Sequence, residues 1–120
     1  MMQISELEGI YNIVGTNQDD TNTSYTGTLS LRLNTDGRLL AKWRIGNDQE
    51  QFGEGFFRDN ILVINFHYYD EDRNIYRGVV VYRCLSKDIL DGFWSEEFGD
   101  PKCLGEERCF RVGHEPELLN

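Results

Sequence analysis

Basic residues are scarce in this chain. Twelve Lys and Arg stand against 21 Asp and Glu in 120 residues, so the formal charge is 12 − 21 = −9 with neutral histidines. That deficit argues against direct nucleic-acid binding, which needs clustered Lys and Arg. No apolar run approaches the roughly 20 residues that carry a helix across a bilayer, so no membrane partner is expected. Helix patterning is nearly missing as well. Beyond one turn at Ser5–Leu7, no window combines apolar residues at i, i+3, i+4 and i+7 with plausible caps. Cysteine is limited to Cys84, Cys103 and Cys109. An odd count reads as free thiols of a reducing compartment, with a Cys103–Cys109 bridge left open. The first residues, Met1 to Glu8, show no basic stretch, apolar core or small-residue cleavage site, so the expected location is the cytoplasm.

Motifs that carry chemistry are also missing. There is no Gly-x-Ser-x-Gly, no glycine loop opening a helix and no His-Glu-x-x-His. The two histidines are His67, outward by parity, and His114, near the C-terminus. Cys103, Cys109 and His114 are too loosely spaced for structural zinc, which favours four ligands in tight pairs. Glu54 shares parity with Phe52 and Phe56, on the side away from Gly53 and Gly55, and reads as a solvated carboxylate. No catalytic set, metal site or cofactor is therefore expected. The acidic clusters at Asp19-Asp20, Asp70 to Asp72, Glu96-Glu97 and Glu106-Glu107 read as turn charge, with a basic protein partner as the alternative.

Alternation with a period of two runs through nearly the whole chain. Eight segments show it: 9–15, 25–33, 38–45, 50–58, 61–69, 74–85, 89–95 and 107–112. Short Asn, Asp and Gly clusters separate most of them. Asn34-Thr35-Asp36-Gly37 is a tight-turn signal, with Gly37 suited to positive φ, and Asp59-Asn60 is another. Evenly spaced strands joined by short turns predict an antiparallel meander. Closure into an up-and-down barrel of about eight strands removes the exposed edges that an open sheet leaves. A two-sheet sandwich is the alternative, but it needs longer crossing connections. The domain spans 8–112, with a lead-in at 1–7 and a flexible tail at 113–120.

Parity collects rings on the inner face: Tyr11, Tyr25, Trp43, Phe66, Tyr82 and Trp94. An eight-stranded barrel is just wide enough for its own side chains or one small ligand. Two readings follow, a filled interior and a pocket at one mouth. In the second, Tyr11, Tyr25, Trp43, Tyr82 and Trp94 line a site for a small apolar or aromatic ligand. The fifth and sixth segments are apolar on both faces, which leaves Ile61, Val63, Val79 and Val81 pointing outward. Such a patch wants cover, either by a second copy in a homodimer or by Leu118 and Leu119 of the tail. The function these features point to is a non-enzymatic binding module, with a protein–protein interaction module as the alternative.

Gly9-Ile10-Tyr11 resembles the Gly-x-Trp signature that opens lipocalin and avidin barrels, and Asp91-Gly92-Phe93-Trp94 resembles a late copy of it. The resemblance implies a calycin- or avidin-like barrel. Tyrosine stands where tryptophan is usual and no biotin-contacting set is matched, so no biotin site is carried over. The wider pattern also resembles a group of small bacterial proteins of unknown function. It comprises Gly9-x-Tyr11, Tyr25-x-Gly27, Trp43-Arg44-Ile45-Gly46, Gly53-x-Gly55, Val79-Val80-Val81-Tyr82 and Leu90-x-Gly92-x-Trp94.

Overall fold

A computed structural model describes residues 2–21 and 23–113. After a 3-10 turn at Ile4–Leu7 come eight strands. They are β1 (Gly9–Thr16), β2 (Ser24–Leu33), β3 (Leu39–Ile45), β4 (Gln49–Arg58), β5 (Ile61–Tyr69), β6 (Ile75–Cys84), β7 (Ile89–Glu96) and β8 (Gly105–Arg111). Each strand pairs antiparallel with the next, and β8 returns to β1, so the sheet closes on itself. This is the expected meander barrel and not the sandwich. His114 and the leucines at 118 and 119 lie outside the described residues, as does the expected tail beyond Gly113.

The turns follow from their residues. Asp59 and Asn60 sit at φ 52° and 65°, the left-handed pair that a two-residue hairpin requires, and Asp and Asn tolerate it best after glycine. At the β2–β3 turn the Asn34 Oδ1 accepts the backbone N–H groups of Asp36 and Arg38 at 2.8 and 3.0 Å, and Gly37 takes φ 84°.

The strands lie close to their expected bounds. The largest shift is in β8, which begins at Gly105, two residues before the expected start. Gly105 and Glu106 look like turn residues in the sequence. Pairing with Trp94 and Phe93 draws them into the ladder.

Alternate residues fill the interior. Leu29, Leu31, Leu39, Leu62, Ile64 and Leu90 are each at most 2 % exposed. Burial on that scale stabilises by about 1.5–3 kcal/mol per side chain. One end of the barrel is shut. Leu7 of the 3-10 turn is fully buried there, and Tyr11 lies beneath it. The Tyr11 hydroxyl has two carbonyl acceptors in reach, of Leu7 at 2.9 Å and of Lys87 at 3.0 Å. Arg111 lies over the Tyr11 ring, 4.8 Å from its centroid. Its guanidinium donates to the carbonyls of Glu6, Glu8 and Lys87 and pairs with Asp88 at 3.0 Å. One arginine thus ties the lead-in, β1, β8 and the β6–β7 turn together.

On the outer face, Phe56, Val63, Val81 and Phe93 stand in register across β4, β5, β6 and β7. Val79 is 40 % exposed beside this row, and Ile61 is half-buried at its edge. His67 faces outward as expected, with its ring 6.0 Å from Phe52.

Candidate functional site

The opposite end of the barrel carries the β1–β2, β3–β4, β5–β6 and β7–β8 connections. A cavity of about 210 Å³ opens there between the strand ends. The rings do not fill the barrel, and space remains between them.

Four of the five expected site residues line this cavity: Tyr25 of β2, Trp43 of β3, Tyr82 of β6 and Trp94 of β7. Tyr11 does not. Its inward parity is right, but it sits at the shut end beneath Leu7 and Arg111, where it closes the barrel. Parity gives the face of a strand and not the depth along the barrel axis, which depends on how far each strand is offset from its neighbours. Burial pushes the Tyr11 hydroxyl up to about 12, partly offset by Arg111.

The ring wall is continuous. Tyr25 meets Trp94 edge-on at 6.5 Å, Trp94 meets Phe66 at 6.2 Å, and Phe66 meets Trp43 at 6.0 Å. Glycines make the wall possible. Tyr25, Phe66, Tyr82 and Trp94 each pair across strands with a glycine, respectively Gly15, Gly78, Gly92 and Gly105. In each pair the ring covers the place where a Cβ would stand.

The floor of the cavity holds a residue that sequence reasoning placed wrongly. Glu107 is not turn charge. It lies within β8, faces inward between Gly105 and Cys109, and is 5 % exposed. The signal was its shared parity with Cys109, an apolar neighbour two residues on.

All four of its neighbours donate to it. The Tyr25 hydroxyl donates to Oε1 at 2.7 Å, and the Trp43 Nε1–H reaches Oε2 at 3.2 Å. Tyr82 donates to Oε2, and the Cys109 thiol lies 3.9 Å from the same oxygen. Trp94 adds an outer link by donating to the Tyr25 hydroxyl at 3.0 Å. Burial pushes the Glu107 carboxyl above its ordinary range. The bonds from Tyr82, Tyr25 and Trp43 pull it down without prevailing. Burial first, with the Glu107 charge added, also raises the Tyr25 and Tyr82 hydroxyls. Both therefore stay protonated at neutral pH and act as donors.

The rim is polar. The Tyr68 hydroxyl lies 2.9 and 2.8 Å from the two carboxylate oxygens of Glu96. Gln18 links the β1–β2 loop to β7 and its following loop. It donates to the Ser95 hydroxyl and the Asp100 carbonyl, and accepts the Glu96 N–H at 2.8 Å. Asn17, Gln49 and Gln51 complete the mouth.

The thiols take different places. Cys84 and Cys109 are buried and Cys103 lies in the β7–β8 loop, all three unbridged. Among the described residues no three His, Cys, Asp or Glu side chains converge on a common point, and no helix is long and apolar enough to cross a membrane.

No family model and no curated protein matches the chain. A solved structure described as "Structure of EF1p2_mFAP2b bound to DFHBI" is similar in fold. It superposes with a TM-score of 0.61 at 12 % identity, covering 88 % of this chain and 94 % of that one. At that identity the likeness is one of fold alone.

Proposed function

We propose that this chain is a small-molecule binding module that takes a compact, one- or two-ring ligand through the open end of its barrel. The observation that carries the reading is the ring-walled cavity of about 210 Å³ with polar groups fixed at its floor and mouth. Ligand sites typically combine apolar walls with a few placed polar groups in this way. The volume lies below the roughly 300–1,000 Å³ of pockets for drug-sized ligands, so the ligand is smaller than those. Tyr25, Trp43, Tyr82 and Trp94 are its contact residues. A barrel of similar fold holds DFHBI, which supports ligand capture by this architecture.

The test uses the chain's own reporters. Both tryptophans, Trp43 and Trp94, line the cavity. Titration with phenol, benzamide or DFHBI should change their emission saturably. Val80 faces the same space, and Val80→Phe should fill it and abolish the response while the barrel stays folded. Emission indifferent to every probe would defeat the reading.

A second reading concerns the outside. We propose that the row Phe56, Val63, Val81 and Phe93, with Ile61 and Val79 beside it, meets the same row of a second copy. Phe56 and Val79 are exposed and the other members half-buried, and contiguous apolar surface of this kind suits a self-complementary two-fold interface. Val79→Lys with Val81→Lys should then give a folded monomer where the parent scatters light as a dimer. A parent that is monomeric at high concentration would dismiss this interface.

A further inference from the structure

The charge of the cavity is one-sided. Among the described residues its lining includes two carboxyl groups, Glu107 at the floor and Glu96 at the rim, and no Lys, Arg or His. The remaining polar lining is neutral, and the tyrosine hydroxyls stay protonated. An anionic ligand would find no positively charged partner at either depth of the site. A neutral ring would gain only the walls.

The floor is also short of donors at one point. Glu107 Oε1 takes one protein hydrogen bond, from Tyr25, while Oε2 takes those of Tyr82 and Trp43 and the weak thiol contact. A carboxylate offers about four lone-pair positions across its two oxygens. Oε1 therefore keeps a lone pair for one more donor. The walls favour the same sign of charge. The faces of tryptophan, tyrosine and phenylalanine rings attract cations, most strongly where water is displaced.

We propose that the cavity selects a small planar organic cation bearing at least one N–H, an arylamidinium or a protonated aminopyridine. Its charged end donates to Glu107 Oε1, and its ring lies among Trp43, Phe66 and Trp94. This rests on the small-molecule reading and narrows it to one chemical class. The groups facing Glu107 are Tyr25 and Tyr82 from β2 and β6, Trp43 from β3 and Cys109 from β8 itself. None of them supplies a positive charge, so the ligand is the natural counter-ion. Burial raises the Glu107 carboxyl, and a bound cation pulls it back towards the ionised form, so cation affinity falls as the pH falls.

The experiment is calorimetric titration of the intact chain with three probes of matched shape: benzamidine, benzamide and benzoate. Benzamidine should bind at least about tenfold more tightly than benzamide, and benzoate should not bind. Glu107→Gln should bring benzamidine affinity close to that of benzamide. Benzamide matching or exceeding benzamidine would overturn cation selection and leave the small-molecule reading standing. Silence from all three probes, with unresponsive tryptophan emission, would remove both. A benzamidine preference that survives Glu107→Gln would overturn the role given to Glu107. Should that variant fail to fold, the parent decides between about pH 8 and pH 5. Benzamidine affinity should fall as the solution is acidified while benzamide affinity holds, and a flat benzamidine profile would overturn the proposal.

Discussion

The Trp94 indole lies over Gly105, its partner across β7 and β8, and fills the place where a Cβ would stand. The same indole donates to the Tyr25 hydroxyl, which in turn donates to Glu107. A glycine with no chemistry of its own therefore sets the position of a hydrogen-bond relay into the cavity floor. Gly105→Ala should push the indole off its seat. Overpacking of this kind costs about 1–3 kcal/mol, and denaturant unfolding would measure it. Ligand-induced emission changes should weaken together with the loss of stability. An alanine variant as stable as its parent, with unaltered emission, would show that the indole has room to move.

Arg111 is the corresponding fastener at the shut end. It is the charged partner of four backbone or carboxylate acceptors, and its side chain is 15 % exposed. Arg111→Met would leave those carbonyls and the Tyr11 ring without it. Hydrogen bonds to charged groups contribute about 1.5–3 kcal/mol each, and some of these acceptors regain water, so a net loss of about 3 kcal/mol is expected. Probe binding at the open end should be unchanged once the variant is folded. A large drop in affinity would mean that the two ends are coupled through the barrel wall.

Val80→Phe tests the size of the cavity from the inside. Val80 is 2 % exposed and faces the rings, so a phenylalanine there enters the empty space. If that space is unfilled in the free protein, the extra ring should be accommodated with less than about 1.5 kcal/mol of destabilisation. Thermal unfolding checks this. A loss well beyond that figure would show that the cavity collapses in solution.

Much of the fold was legible because a closed barrel obeys one local rule. Leu29 and Leu31 alternate with Ser30 and Arg32, and that alternation is enough to assign faces. The Asp59-Asn60 turn was legible because few residues tolerate its backbone angles. The site was less so. Tyr11 and Tyr82 have the same inward parity, yet one closes the barrel and the other lines the cavity. The difference is the strand offset, which no single strand encodes. Glu107 was hidden for a different reason. Beside Glu106 it looks like half of a surface charge pair, and its burial depends on Tyr25, Trp43 and Tyr82, which reach it from β2, β3 and β6. A buried carboxylate is set by partners distant in sequence, and only its parity with Cys109 hinted at it.

Glu107 should also leave a signature in stability against pH. Its carboxyl is raised in the folded chain, with burial as the dominant cause, above the ordinary value of 4.5 that applies when unfolded. Below that ordinary value the group is protonated in both states, and its contribution to stability is fully present. As pH rises, the unfolded chain ionises first, and stability falls until the folded carboxyl has titrated too. Asp19 and Asp70 are held low by hydrogen bonds in their turns and act in the opposite sense at acid pH. They are common to parent and variant, so the difference between parent and Glu107→Gln isolates the buried group. That difference, from urea unfolding followed by tryptophan emission, should move against the parent as pH rises above the ordinary carboxyl range, and level off only once the folded carboxyl has ionised. A difference that moves in the parent's favour would mean that the donors from Tyr82, Tyr25 and Trp43 outweigh burial, and that the carboxylate is held ionised by the barrel alone.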